Sequence, residues 1–392
     1  MFYPDHIDRI ILRLEDSGES AYIVGGSLRD ILLGKSPNDY DITTSALPEK
    51  TKSVFSDMRV IETGIKHGTV TVLWEGEPIE ITTFRIDGRY TDSRHPDSVS
   101  FTSDICADLS RRDFTINAMA YNKRDGLVDP FGGAEDVKKG IIRAVGVPED
   151  RFGEDALRIM RAFRFSAQLG FEIESDTLRG AVMAKSGLAN IARERIGSEF
   201  IRLVTSPEPV LPLKLMAKTG MLEYVLGGYT PSDRLIDSIT GMPSVDTARL
   251  GFILCEADRE EAEDILHGLR CSGKQITGAL ATMTGCSVCV RTSEDARRLI
   301  AKTGIYAEAA ACGSELLGIS PAGARELTVR QQNTPCSLRD LRINGRVLSE
   351  MGVRGKLIGE ILAELMERVI EDPSLNDGDT LRRLAEKIIK EK

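Results

Sequence analysis

The sequence predicts an α+β domain, built on a small mixed β-sheet with helices, followed by helices alone to the end of the chain. Strand patterns are confined to about the first 150 of the 392 residues: a short apolar run, 21–24, stops at paired glycines, and two strands, 68–74 and 78–85, flank a hairpin turn. Beyond that point, apolar residues recur only at helical spacing. The chain is too long for one ordinary hydrophobic core, so we expect two to four domains.

Composition excludes several classes of protein. No apolar run is long enough to cross a membrane and no signal peptide is recognisable, so we expect a cytoplasmic protein with no membrane partner. The seven cysteines, an odd number with six in the second half, argue against a disulfide framework. Cys286 and Cys289 form a single C-x-x-C without a second pair, and we interpret them as small buried side chains rather than zinc ligands.

The net charge of −9 argues against a nucleic-acid partner, but such binding needs only a local basic surface. From Arg151 to Lys218 the chain has eleven Lys or Arg and eight Asp or Glu, an excess of three positive charges. This segment is therefore the candidate for such a surface.

The stretch from residue 22 to residue 46 carries the first candidate site. Gly25 and Gly26 end the first strand, and paired glycines let the backbone turn sharply and approach a ligand. We expect Ser27 to cap the following helix, whose free N–H groups suit a phosphate. Arg29 adds a positive charge in the first turn of that helix.

Two aspartates follow on the next predicted strand, 39–42. Residues two apart on a strand point to the same side, so Asp39 and Asp41 are expected to share a face. Two carboxylates beside a loop suited to phosphate predict a divalent-metal site for phosphoryl chemistry. Glu80, on the strand 78–85, is a candidate third carboxylate; the alternative is an exposed strand glutamate.

Two later helical patterns carry clustered charges. Residues 108–121 predict a helix with a polar group made of Arg111, Arg112, Asp113 and Asn117. Residues 154–170 predict one long helix, on which Asp155 and Arg158 lie three apart on one face. By themselves, both patterns are compatible with ordinary surface ion pairs, which contribute little stability.

Together these motifs resemble those of the family that contains the tRNA CCA-adding enzymes and the bacterial poly(A) polymerases. The family signature Gly-Gly-x-x-Arg-Asp followed by Asp-x-Asp is present at 25–30 and 39–41. Arg-Arg-Asp-Phe-Thr-Ile-Asn-Ala-Met-Ala at 111–120 is similar to the second motif, and Glu-Asp-x-x-Arg-x-x-Arg-Ala-x-Arg-Phe at 154–165 to the fourth. The resemblance is strong over about residues 20–205 and moderate at the end of the chain.

The resemblance implies a nucleotidyltransferase head followed by an all-α neck, body and tail, which we place at residues 1–148, 149–206, 207–334 and 335–392. It implies that Asp39 and Asp41 are catalytic and hold two Mg²⁺ ions, and that Asp155 and Arg158 read the incoming base. It also implies that the tail contributes to tRNA binding. The residues expected to bind nucleotide are Gly25, Gly26, Ser27, Arg29, Arg111, Arg112, Asp113, Asn117, Asp155, Arg158, Arg161 and Arg164.

The function implied is the template-independent addition of CCA to the 3′ end of tRNA from CTP and ATP, with release of pyrophosphate. A poly(A) polymerase and an enzyme that adds only A or only CC are the alternatives within this class. A non-catalytic RNA-binding protein is a further alternative, but it would require a lost carboxylate, and both are present. None of the four histidines is followed by Asp, so no His-Asp phosphohydrolase is expected.

Two connecting segments are interpreted from their composition. Residues 85–101, rich in charge and interrupted by Gly88 and Pro96, predict a mobile loop like that of the family, and His95 within it is interpreted as a loop residue rather than a base. Gly132 and Gly133 are either a hinge between head and neck or a plain turn.

Overall fold

The strands of the first part of the chain form one mixed sheet, as the sequence predicts. The computed structural model describes residues 3–65, 68–88 and 99–391. In the seven-stranded sheet, neighbouring strands run in the order β3-β4-β5-β2-β1-β8-β9, where β1 is Ala21–Val24, β2 Asp41–Thr44, β3 Arg59–Ile61, β4 Thr69–Trp74, β5 Glu77–Thr83, β8 Ala120–Asn122 and β9 Gly126–Val128. Strands β2 and β5 are parallel, and the other pairs of this sheet are antiparallel.

Two short strand pairs lie outside this sheet. Strands β6 (Arg85–Asp87) and β7 (Val99–Phe101) pair antiparallel, at the two ends of the predicted loop. Residues 89–98 of that loop, with His95, lie outside the described residues. Strands β10 (Ile141–Ile142) and β11 (Glu172–Ile173) pair parallel.

Helices make up most of the remaining structure, as the spacing of apolar residues predicts. Residues 1–228 and 229–392 form two compact units, and the boundary falls in a stretch rich in Gly, Pro and Ser, 227–232. The helices of the first unit are α1 Asp5–Asp16, α2 Gly25–Leu32, α3 Pro48–Val54, α4 Ile105–Ser110, α5 Gly133–Lys139, α6 Pro148–Glu154, α7 Leu157–Leu169, α8 Ser175–Met183, α9 Arg193–Val204, α10 Val210–Lys218 and α11 Met221–Leu226. Those of the second unit are α12 Asp233–Ser238, α13 Asp246–Ile253, α14 Arg259–Gly268, α15 Gly273–Cys286, α16 Ser293–Thr303, α17 Ala307–Leu316, α18 Ala324–Gln331, α19 Gly345–Glu350, α20 Lys356–Glu371 and α21 Gly378–Glu391.

Alternation of buried and exposed side chains fixes the register of the sheet. In β5, Ile79 and Ile81 are buried while Glu80 between them is exposed, as the strand period of two predicts. The facing strand β4 buries Val70 and Val72 on the same pattern. Because the apolar face is buried, the exposed face of β5 is free to carry polar groups.

Two predicted helices are wrong in their boundaries. The expected helix 108–121 ends at Ser110. Phe114 has an extended backbone, and its neighbours 113 and 115 exchange backbone hydrogen bonds with 145 and 143. Residues 115–117 then form a short 3-10 helix, and 120–122 pair with β1 as strand β8. The expected helix 154–170 is two helices, α6 and α7, since Asp155 has an extended backbone, with φ −143°. The predicted stop at Gly170 is confirmed: this glycine has φ +72°.

A buried arginine joins two helical layers within the second unit. Arg297 of α16, 7% exposed, donates hydrogen bonds to the backbone carbonyls of Ile370 and Glu371 at the end of α20, at 2.5 and 2.9 Å. Its third nitrogen donates to Gln331 at 3.0 Å. The last carbonyls of a helix have no partner within the helix, so the guanidinium supplies the donors that they lack.

The described residues contain no helix that is long and apolar enough to cross a membrane.

Glycine is required at 132 and at 133 for different structural reasons: the backbone conformation at the first and the lack of space for a side chain at the second. Gly132 has φ +72° and precedes α5, a conformation that other residues rarely adopt. At Gly133 an added Cβ would lie 2.1 Å from the carbonyl oxygen of Thr115, so α5 packs directly on the backbone of that turn. Asp129 accepts hydrogen bonds from the N–H groups of Gly133 and Ala134 and so caps the helix. The pair forms a tight turn with a close backbone contact.

We expect Gly133→Ala to lower the free energy of unfolding of the first unit by about 1–3 kcal/mol, because the methyl group forces α5 away from Thr115. Gly153→Ala in α6 is the matched control, since its Cβ would meet no atom within 4 Å. Urea unfolding measures both variants. Equal stability of the two variants would contradict this account of Gly133.

Candidate active site

Helix α2 starts at a glycine, Gly25, so that backbone without a side chain lies next to Asp41. Gly25, at φ +69°, is its first residue, and a Cβ there would lie 3.2 Å from Nη1 of Arg112 and 3.6 Å from Oδ2 of Asp41. Ser27 does not cap the helix as predicted: it is the third helical residue, and its buried hydroxyl donates to the carbonyl of Val24 at 2.8 Å. Among the described side chains none caps α2, so its first N–H groups are available to an anion.

The two predicted aspartates lie at and just before the start of β2, an interior strand of the sheet. Asp41 is the first residue of β2, while Asp39 lies two residues before the strand in a bend, so the predicted strand 39–42 is two residues too long at its start. Both residues are exposed. Across the parallel pair, Asp41 is directly opposite Glu80 of β5, and directly paired residues point to the same face. The sheet therefore presents Glu80 beside Asp41.

Charge around Asp41 opposes its ionisation. Withdrawal of its carboxylate from bulk water raises its pKa, Asp39 raises it further, and the positive charge of Arg112 only partly offsets this, with Glu80 adding a smaller repulsion. The residue as a whole is nevertheless exposed, so the carboxylate is accessible to a ligand. A cation bound between these carboxylates would relieve the repulsion.

The acidic cluster fits a magnesium ion better than a fully protein-bound metal. No three His, Cys, Asp or Glu side chains of the described residues are placed to hold a metal ion together. Magnesium commonly uses one or two carboxylates, keeps several waters and takes further oxygens from substrate phosphates. Asp39 and Asp41, open to solvent beside the uncapped start of α2, match that requirement.

Arg111 and Arg112 are anchored by one carboxylate that sequence reasoning missed. Asp108, fully buried in α4, accepts hydrogen bonds from Arg111 at 2.7 and 3.0 Å and from Arg112 at 3.4 Å. Burial lowers the pKa of Arg112, while Asp108 raises it. The spacing of i to i+3 and i+4 along one helical turn was the available signal for this anchor.

A chain of buried and half-buried hydrogen bonds connects α2 to α7. Arg29, 5% exposed, donates to Asp30 at 2.8 and 2.9 Å and to Oδ1 of Asn117 at 2.9 Å. Asn117 donates in turn to Asp113 at 3.4 Å, and Asp113 accepts from Arg161 at 2.6 and 2.7 Å. All of these except Asp30 are predicted nucleotide-binding residues, and the structure brings them together.

The ion pair at the end of this chain fixes the charge of Asp113. Burial alone would raise the pKa of this carboxyl, but the charge and hydrogen bonds of Arg161 outweigh burial and hold the pKa below its usual value. Asp113 correspondingly raises the pKa of Arg161. The carboxylate is therefore ionised at neutral pH and can accept hydrogen bonds from a ligand.

An aromatic ring that sequence reasoning missed lies among three of the predicted arginines. The guanidinium carbons of Arg29, Arg161 and Arg164 lie 5.5, 5.2 and 4.0 Å from the ring centroid of Phe165. These distances are within the range of cation–π attraction. Phe114 packs edge-on against the same ring, with centroids 5.8 Å apart.

The predicted base-reading pair has a different geometry from that expected. Asp155 lies between α6 and α7 and not on a helix, so it does not share a helical face with Arg158. Its Oδ1 accepts from the N–H of Leu157 at 3.0 Å, and its Oδ2 accepts from Nη2 of Arg195 at 3.0 Å. The buried Arg158 instead bonds to the carboxylate of Glu154. A backbone hydrogen bond of 3.0 Å, from Arg158 N–H to the Asp155 carbonyl, keeps the two within one turn.

Helix α9 supports this region through a second ion pair. Its buried Glu199 accepts a hydrogen bond from Arg164, and Gln168 accepts another from Arg164 at 2.8 Å. Burial lowers the pKa of Arg164, and Glu199 opposes that effect. Arg164 therefore points into the protein between α7 and α9, away from a simple surface position. Its partner Glu199 carries no local signal in the sequence, because the two residues are 35 positions apart.

This arrangement of sheet, uncapped helix start, paired carboxylates and arginines defines a nucleotidyltransferase head. Residues 21–143 match the family described as the Poly A polymerase head domain, and residues 170–231 match a family described as the probable RNA and SrmB-binding site of polymerase A. The first match spans the predicted metal site and second motif.

Whole-chain comparisons are more specific. The chain is 37% identical to a CCA-adding enzyme of Leuconostoc mesenteroides over 388 residues, 97% of this chain and 95% of that protein. It is 36% identical to one of Ligilactobacillus salivarius, over 98% of this chain and 96% of the relative. A crystal structure of the Bacillus stearothermophilus CCA-adding enzyme in complex with CTP superposes with a TM-score of 0.84 at 30% identity, covering all of both chains. The chain belongs to the family of CCA-adding enzymes.

We expect Phe165→Leu to lower the free energy of unfolding by about 1–3 kcal/mol. The substitution removes ring volume and the aromatic ring that attracts three guanidinium groups. Phe163→Leu is the matched control: Phe163 is fully buried in the same helix, and no described cation lies over its ring. Thermal and urea unfolding should show the larger loss at Phe165. An equal loss in both variants would show that the arginines gain nothing from the ring.

Proposed function

We propose that this chain adds the 3′ CCA sequence to tRNA from CTP and ATP, without a nucleic-acid template and with release of pyrophosphate. The observation that carries the proposal is the Asp39–Asp41 pair beside the bare backbone of Gly25, within a chain that matches CCA-adding enzymes over its full length. The relatives' name refers to complete CCA addition, which favours this activity over poly(A) synthesis and over an A-only or CC-only enzyme.

The metal site follows from the paired carboxylates. Asp39 and Asp41 would hold Mg²⁺. Glu80 is close enough to Asp41 for its charge to raise the pKa of the Asp41 carboxyl. The bound ions would supply activation of the attacking 3′-hydroxyl and stabilisation of the pyrophosphate leaving group. No covalent intermediate is required, so no nucleophilic Ser or Cys is needed.

Residues around the site would position the nucleoside triphosphate. Gly25 and Gly26 let the phosphates approach the backbone at the start of α2, whose free N–H groups favour an anion. Arg112 faces Asp41 and supplies positive charge there. Ser27 and Arg29 are buried with internal partners, so we assign them the support of this turn rather than an exposed contact.

The second and fourth motifs would bind the ribose and the base. Asp113, held ionised by Arg161, can accept hydrogen bonds from ribose hydroxyls. Asp155 can accept from the exocyclic amine of cytosine or adenine, and Arg158 can donate to the adjacent ring nitrogen. Uracil and guanine present the reverse pattern and would be refused, because acceptor would face acceptor and donor would face donor.

The remaining parts of the chain would serve the tRNA. We assign residues 1–148 to the catalytic head, 149–206 to the neck, 207–334 to the body and 335–392 to the tail, with body and tail holding the tRNA. This division is finer than the two compact units, which separate at residues 228 and 229. We expect the enzyme in the cytoplasm, where tRNA and nucleoside triphosphates are available.

We expect Asp39→Asn and Asp41→Asn each to abolish incorporation, because each removes a charge needed to hold the ion while leaving the fold intact. The assay supplies tRNA ending at the discriminator base, CTP and ATP, and resolves products nucleotide by nucleotide. Chelation should stop the wild-type reaction, and Mg²⁺ should restore it.

The control for these variants is Glu77→Gln, an exposed carboxylate at the start of β5 outside the proposed site. It should keep wild-type activity, whereas Glu80→Gln should show a partial loss. Substantial Mg²⁺-dependent turnover in Asp39→Asn or Asp41→Asn would refute the metal assignment. Extension by A alone would point to the A-adding alternative.

A further inference from the structure

Helices α13 and α15 of the second unit pack more closely than most pairs of helices. A Cβ added at Gly251 of α13 would lie 2.4 Å from the carbonyl oxygen of Ala279 and 2.7 Å from Cβ of Thr282, both on α15. One turn earlier on both helices, a Cβ added at Gly278 would lie 2.6 Å from Cγ2 of Thr247. Glycine at these two positions lets the backbones come almost into contact, and the order of the contacts shows that the helices run parallel.

This register places two cysteines opposite one another. Cys255 lies one turn beyond Gly251, in the turn that follows α13, and Cys286 lies one turn beyond Thr282, at the end of α15. The two thiols share a hydrogen bond. The Cys255 thiol also donates to the carbonyl of Gly251 at 3.4 Å. Neither cysteine is in a disulfide.

The close packing meets the geometric requirement of a disulfide. Such a bond needs Cα atoms within about 7 Å of each other. Helices in ordinary contact have axes about 8–10 Å apart, so only directly facing residues come that close. Cys255 and Cys286 face each other on two helices that Gly251 and Gly278 hold closer than usual. Their sulfur atoms can therefore be joined with little movement of the backbone.

The two thiols differ in access, which assigns each a step in oxidation. Cys255 is half-buried, whereas Cys286 is fully buried. The hydrogen bond to Cys255, followed by burial, raises the pKa of the Cys286 thiol. Since an oxidant reacts with the thiolate, Cys286 is a poor first nucleophile. A small oxidant dissolved in water therefore reaches and oxidises Cys255 first.

We propose that Cys255 and Cys286 form a site of reversible oxidation, at which a peroxide joins α13 to α15 through a disulfide. The Cys255 sulfur attacks one peroxide oxygen, the O–O bond breaks, water leaves and Cys255 becomes a sulfenic acid. The Cys286 sulfur then attacks the Cys255 sulfur. An S–S bond forms, the S–O bond breaks, and the hydroxyl leaves as water with the proton of Cys286. The two thiols together lose two electrons and the peroxide gains them.

A third thiol nearby is the competing partner. Cys312 of α17 is close enough to Cys286 for its charge to act on it, and Gly313, the next residue, has no room for a Cβ because the Cys286 sulfur would lie within van der Waals contact. The Cys312 thiol donates to the carbonyl of Gly241 at 3.3 Å. The hydrogen bond shared by Cys255 and Cys286 favours their pairing over one with Cys312.

The test uses the full chain carrying Cys106→Ser, which removes an exposed thiol able to link two chains. The reduced protein is treated with hydrogen peroxide, free thiols are alkylated, and tryptic peptides are mapped without reduction. Cleavage at Arg259, Arg270 and Lys274 places the two cysteines on different peptides. We expect these peptides to be linked, two free thiols per chain to be lost, and both thiols to return after treatment with dithiothreitol.

Cys289→Ser is the matched control, because Cys289 shares a tryptic peptide with Cys286 but lies beyond the end of α15. It should leave the linkage unchanged, whereas Cys255→Ser and Cys286→Ser should each abolish it. In Cys255→Ser the buried Cys286 should stay reduced. In Cys286→Ser the sulfenic acid of Cys255 should accumulate and react with dimedone.

A linkage that persists in Cys286→Ser, a Cys286–Cys312 linkage in its place, or oxidation of Cys255 without any linkage would overturn the proposal. Full recovery of free thiols after peroxide treatment would overturn it as well. If Cys286→Ser does not fold, Cys255→Ser decides: reduced Cys286 supports the proposal, and Cys286 linked to another cysteine refutes it. The measurement needs neither tRNA nor nucleotide, so its result is separate from that of the proposed function.

Discussion

The arrangement of the site depends on one series of hydrogen bonds, buried at its centre and half-buried at its ends: Asp30–Arg29–Asn117–Asp113–Arg161. It begins on the helix that opens at Gly25 and ends on α7, which also carries Arg158 and Arg164. Removing one member of such a series leaves its neighbours buried and unpaired, which costs more than the bond itself contributes. The turn at Gly25 and helix α7, for which we propose phosphate binding and base reading, are therefore held in one frame.

The ring of Phe165, which is not part of the hydrogen-bonded series, also stabilises this arrangement. It contacts one arginine from α2 and two from α7, so positive charges that would repel one another share a favourable partner. Each of these arginines also has a carboxylate partner: Asp30 for Arg29, Asp113 for Arg161 and Glu199 for Arg164. Charge balance and packing are thus combined in a small volume, which explains how Arg29 and Arg164 can be buried beside the half-buried Arg161.

The sequence predicted the parts of the fold whose signal is local. Alternation along β4 and β5, the hairpin between them and the glycine that ends α7 are all confirmed, because each depends on neighbouring residues. The helix over 108–121 was wrong because pairing with residues 143–145 and with β1, both distant along the chain, overrode the local pattern. The pairings of Asp155 with Arg195 and of Arg164 with Glu199 carry no local signal, because they join residues 40 and 35 positions apart. Asp108 is different: its spacing to Arg111 and Arg112 was a local signal that sequence reasoning did not use.

Arg297 has a consequence for how the chain can be divided. The pattern of residues 335–344 marks a linker, and a linker usually separates parts that can exist apart. Here, however, a guanidinium on α16, before the linker, is satisfied by the carbonyls at the end of α20, after it. A chain ending at the linker would leave a buried positive charge without these acceptors, a state that proteins strongly disfavour. The last helices therefore complete the interior of the preceding ones, and the two segments form one folding unit.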